Sequence, residues 1–83
     1  MLADELVKVG SPGEAISELR EAIRIDPLDP ALHAQLARLY ERSHLATEAI
    51  LEYEEVIRLD PANSAAVRTH LEQVRAKRSR PGP

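Results

Sequence analysis

Apolar residues recur along this chain at intervals of three and four, with charged or small residues between them. Ala15, Ile16, Leu19, Ala22 and Ile23 form one stripe, Leu32, Leu36, Leu39 and Tyr40 a second, and Val67, Leu71 and Val74 a third. Residues spaced this way share one side of an α-helix, whereas a half-buried strand would alternate with a period of two. The pattern predicts five helices, over about 2–9, 12–25, 30–42, 46–59 and 64–78, and no strand. The punctuation between the stripes agrees. Gly10 suits a left-handed helix terminus, and Ser11-Pro12-Gly13-Glu14 combines a cap, an N1 proline and a capping-box glutamate. Asp26-Pro27 and Asp60-Pro61 end helices, Asp29-Pro30 starts one, and Asn63 or Ser64 is placed to cap the last. Ser79-Arg80-Pro81-Gly82-Pro83 cannot continue a helix and reads as a frayed tail after a helical domain over about 1–78.

The stripes are also copies of one another. Glu14 to Pro27 returns 34 residues later as Glu48 to Pro61, with nine of the fourteen pairs identical. A fixed period of this size marks a repeat architecture, in which each unit buries its apolar face by stacking on the next. His44 stands one period after Gly10, and histidine is among the non-glycine residues that tolerate positive φ.

With that period and a helix-turn-helix unit, the chain resembles the tetratricopeptide repeat family, whose pattern is Trp-x2-Leu-Gly-x2-Tyr, then Ala-x3-Phe, then Pro. The full copy reads His33-x2-Leu36-Ala37-x2-Tyr40, then Ala49-x3-Tyr53, then Pro61. The preceding copy enters partway, as Leu2-Ala3-x2-Leu6, Ala15-x3-Leu19 and Pro27. A third begins at Val67-x2-His70-Leu71-x2-Val74 and has no second helix to follow. The departures are His33 in the place of Trp and Ala37 in the place of Gly. The resemblance covers residues 2 to about 78 and implies an all-α, right-handed superhelical array of about two repeats plus a closing helix. It also implies that small residues, Ala37 with Ala49 and Ala3 with Ala15, sit where paired helices approach closely.

Composition narrows the function more than it names it. The 83 residues carry a net charge of −3, which speaks against a nonspecific nucleic-acid binder. With no cysteine, no Trp and no Phe, thiolate metal sites are excluded, and the core must be aliphatic. No apolar run reaches membrane length, and no basic segment followed by an apolar one opens the chain. A soluble, cytoplasmic rather than secreted protein is expected. His33, His44 and His70 lack metal-ligand spacing, no glycine-rich phosphate loop occurs, and Ser11 and Ser43 have no base beside them. His33 is expected in a packing position, His44 in a loop, His70 on an outer face, and Glu48, Glu52, Glu54 and Glu55 on solvated helix surfaces. The basic cluster Arg75, Lys77, Arg78 and Arg80 suits the negative end of a helix dipole. No enzyme, cofactor or metal site is therefore expected.

What remains is a noncatalytic protein-interaction module, read as part of a longer array or a multidomain protein. The resemblance implies a concave face lined by the first helix of each repeat, able to hold a peptide or a partner's helix. On this chain those positions fall on Asp4 and Lys8, on Ala34, Gln35, Arg38 and Arg42, and on Arg68, Thr69, Glu72 and Arg75. Their arginines favour an acidic protein or peptide partner. Asp4, Arg38 and Glu72 lie 34 residues apart and could instead form a ladder of alternating charge. Val67, Leu71 and Val74, deprived of a second helix, are expected either to be buried on Ala49 to Leu59 by rotation of the last helix or to stay available to another copy, and partial burial with some self-association is the favoured outcome. The alternative function is structural self-assembly, a weak homo-oligomer formed through that row.

Overall fold

A computed structural model describes residues 12–79. Four α-helices occupy that span: α1 (Pro12–Ile25), α2 (Pro30–Arg42), α3 (Ala46–Leu59) and α4 (Ala65–Ser79), with a 3₁₀ turn at Pro61–Asn63 before α4. Among the described residues there is no strand. The segment over 2–9, with Asp4, Lys8 and the Ala3–Ala15 approach, lies outside them, as do Ser11 and residues 80–83.

Local chemistry explains the helix ends. Asp29 holds an extended backbone and its side chain accepts from the amide of Ala31 at 2.9 Å, while Pro30 occupies the first helical position. His44 has φ of 62°, in the left-handed region that lets the chain turn between α2 and α3. The amide of Leu45 then donates to the Tyr40 carbonyl at 2.8 Å, satisfying one of the last carbonyls of α2. Before α4, Asn63 donates its side-chain amide to Asp60, and buried Ser64 donates its hydroxyl to the Pro61 carbonyl at 3.0 Å. The Ser64 carbonyl takes the first helical hydrogen bond, from Arg68 at 2.9 Å. Ser64 thus caps by position, while its side chain braces the preceding turn.

Each helix packs on its neighbour in sequence, α2 on α3 most extensively. Ala15 and Leu19 of α1 meet Leu36 and Leu39 of α2 in one core cluster. A second cluster joins Ala37 of α2, Ala49, Ile50 and Tyr53 of α3, and Leu71 and Val74 of α4. Tyr40 touches both and links them. Ala37 and Ala49 are completely buried, and a methyl group at each point allows α2 and α3 to close together. Burying a leucine such as Leu36 contributes about 1.5–3 kcal/mol.

The last helix does not repeat the packing of α2. In α2, Leu36 and Leu39 reach back to the preceding helix; one period later stand His70 and Gln73, both polar and exposed. That face of α4 has no apolar stripe to bury. The helix instead turns Val67, Leu71 and Val74 toward α3, using the positions that in α2 are His33, Ala37 and Tyr40. Leu71 is 5% exposed and Val74 2%, and Val67 is half-buried against them. Of the two fates expected for this row, burial on Ala49 to Leu59 is the one the structure has, with Val67 left half-buried at its edge. The physical reason is that the row removes most apolar surface from water by closing on the helix that precedes it in the chain. Arg68, Thr69, Glu72, Gln73, Arg75 and Ala76 face solvent, so α4 covers α3 with a polar exterior.

Candidate functional site

The junction of α2, α3 and α4 is organised by one carboxylate. Glu41 Oε1 accepts from the Tyr53 hydroxyl at 2.9 Å and from His70 Nε2 at 2.7 Å. The two rings lie tilted with centroids 5.2 Å apart. Burial, then the hydrogen bond to Glu41, push the Tyr53 phenol far above its ordinary range, with the Arg38 charge opposing. Tyr53 is therefore a fixed donor, and Glu41 is spoken for. His70, expected on a free outer face, is the residue that ties α4 to α2 through Glu41.

His33 fills the apolar place that the sequence pattern assigns to Trp, yet it is doubly bonded. Its Nε2 lies 2.9 Å from the Pro27 carbonyl and its Nδ1 2.7 Å from Glu52 Oε1. Both partners are acceptors, so the ring satisfies both only as the charged imidazolium with two N–H donors. Burial works against that charge, but the bonds to Glu52 and Pro27 and the fields of Glu52 and Glu55 outweigh it. The His33 pKa accordingly lies above its ordinary value. Glu52, expected on a solvated surface, is thus half-buried and committed to a bond between α3 and α2. Glu54 keeps a partly exposed place on the helix surface and pairs there with Arg75 across α3 and α4.

That pairing sorts the cations. Arg24 meets Glu21, Arg58 meets Glu55, and Arg75 meets Glu54. Arg75 is thereby tied to α3, and its candidacy for a partner is weakened. Arg38, Arg42 and Arg68 are exposed, and no ion pair among the described residues includes them. Arg38 and Glu72 form no bridge, so the charge ladder is not closed at that step. Gln35 is exposed, Ala34 half-buried, and Thr69 donates its hydroxyl to the Ala65 carbonyl within its own helix at 3.3 Å. Lys8 lies outside the described residues. Glu41 and His70 join α2 to α4 one residue before Arg42 and two after Arg68, which brings the two basic segments alongside each other.

A family model described as tetratricopeptide repeat matches residues 6–74. The chain belongs to the tetratricopeptide repeat family. No curated protein matches it. Tetratricopeptide repeats in general mediate protein–protein interaction, and the all-α repeat architecture described above is that of the family. In the family's pattern, Leu36, Ala37, Tyr40, Ala49 and Tyr53 are packing positions, and all five lie in or against the two core clusters. Among the described residues no three His, Asp or Glu side chains gather as a metal ion would require. No helix among them is long and apolar enough to cross a membrane. The Glu41–Tyr53–His70 and His33–Glu52 constellations escaped the sequence reading because their members lie between 12 and 29 residues apart. The available signal was that His33 and His70 stand where the repeat pattern and its copy are apolar.

Proposed function

We propose that this tetratricopeptide repeat domain is a noncatalytic interaction module that holds an acidic peptide segment against α2 and α4 through Arg38, Arg42 and Arg68. One observation carries the reading: among the described residues these three arginines have no carboxylate partner, while Arg24, Arg58 and Arg75 are all engaged. An unpaired guanidinium offers its full fork of donors to an incoming carboxylate, with no intramolecular bridge to break first. Gln35 and Thr69 would border the same strip, and Glu72 would limit how acidic the neighbouring part of the peptide can be. The test is a fluorescence titration of a labelled polyglutamate-containing peptide at low and moderate salt. Arg42→Glu combined with Arg68→Glu should weaken binding about tenfold or more, and raised salt should weaken the parent. Equal binding by parent and double variant, or none by either at low salt, removes the assignment. Self-assembly through Val67, Leu71 and Val74 is the less favoured alternative, since that stripe packs on α3.

A further inference from the structure

A groove of about 420 Å³ runs between α1 and α3, with α2 as its floor. Ile23, Leu36 and Tyr40 supply an apolar base. Arg20 and Arg24 stand on the α1 wall, Glu48 and Glu52 on the α3 wall. Each wall thus contributes two residues spaced one helical turn apart, and the charges of the two walls are opposite.

Such walls would ordinarily close on each other. Here they do not: no ion pair joins Arg20 or Arg24 to Glu48 or Glu52. Two of the four charges are already neutralised from outside the groove, Arg24 by Glu21 and Glu52 by His33. Arg20 and Glu48 remain, one on each side, both exposed. Leu51, three residues beyond Glu48, is 59% exposed and extends the apolar surface past the α3 wall.

We infer that this groove is a second docking site, and that its occupant is a partner helix carrying one large apolar residue flanked by an acidic residue on one side and a basic one on the other. The apolar residue seats on half-buried Ile23 and Tyr40, with Leu36 closed beneath them, the acidic flank meets Arg20, and the basic flank meets Glu48. A ligand of one sign would be attracted by one wall and repelled by the other, so the charge pattern selects a mixed partner. The groove is only about one helical turn long, which suits a single anchor residue. It also lies open to solvent, so a small molecule would stay largely uncovered there, whereas a helix laid across the walls would cover it. This site is independent of the α2–α4 reading and shares no residue with it.

The experiment uses three labelled alanine-rich helical peptides with the same central leucine. One carries Glu and Lys on opposite flanks, one Glu on both, and one Lys on both. Fluorescence anisotropy on the whole chain should show the mixed peptide binding about tenfold more tightly than either single-sign peptide, the scale of one or two partly exposed charge pairs. Arg20→Glu makes both walls acidic and should transfer the preference to the Lys peptide. Arg42→Glu with Arg68→Glu should leave the mixed peptide unaffected, which separates failure here from failure of the acidic-peptide reading. Amide shifts at Ile23, Leu36 and Tyr40 on adding the mixed peptide should locate it. The inference is overturned if the parent ranks the three peptides equally or binds none of them. It is equally overturned if Arg20→Glu, folded by circular dichroism, keeps the parent's ranking.

Discussion

Raising the pH should loosen this domain through a single side chain, His33. The folded state offers its ring two acceptors, Pro27 O at 2.9 Å and Glu52 Oε1 at 2.7 Å, in a site where the residue is only 7% exposed. Losing a proton leaves one ring nitrogen facing an acceptor, either the Pro27 carbonyl or Glu52, with its lone pair. The folded pKa is raised above the unfolded value, so the stabilisation is complete below the unfolded pKa of about 6.5 and is lost as pH rises through the folded pKa. Between the two values stability falls by at most about 1.4 kcal/mol per pH unit, because one proton is involved. The total is bounded by the worth of a hydrogen bond to a charged group, about 1.5–3 kcal/mol. For a domain of this size 1 kcal/mol corresponds to about 4–8 °C in Tm. Thermal melts followed by circular dichroism between pH 5.5 and 9 should therefore show the parent losing several degrees toward the alkaline end. His33→Gln, which cannot gain the proton, should have a lower Tm at pH 6 and a flatter profile. Parallel profiles for parent and variant, or a parent that becomes more stable from pH 6 to 8, would refute the charged, doubly donating ring.

Two packing predictions accompany it. Ala49→Leu should overpack the completely buried contact region near Ala37 and destabilise the domain by about 1–3 kcal/mol in urea unfolding, and a variant as stable as the parent would place the close approach elsewhere. Leu71→Glu should lower Tm sharply, because it drives an unpaired carboxylate among Ala49, Ile50 and Tyr53, while leaving the mass by light scattering at the parent's value; an unchanged Tm would mean that Leu71 is not in the core.

Helix starts in this chain are decided within a few residues. The Asp29 side chain bonds to Ala31 two residues on, and Pro30 presets the φ of the first turn, so the beginning of α2 could be read without knowing what α2 packs against. The all-α repeat class was legible for a related reason: a period of 34 residues with matched apolar stripes has no other way to bury them. Small residues at Ala37 and Ala49 likewise carry their meaning in their size. The orientation of α4 stood between two outcomes at that level, burial on α3 or contact with another copy. It depends on a comparison of burial between two faces, and the packed structure has Leu71 and Val74 closed on α3 while His70 and Gln73 stay at the exposed boundary. The fate of each charge was beyond reach. Glu41, Glu52 and Glu54 look like ordinary surface glutamates in the sequence, but their partners His70, His33 and Arg75 lie 19 to 29 residues away. A local pattern determines a dihedral or a face; which donor meets which acceptor across helices depends on distances that only the tertiary fold sets. The same dependence governs the candidate sites, since Arg75 is tied to Glu54, and Arg20 and Glu48 come to line opposite walls of one groove, only once α1, α3 and α4 have taken their places.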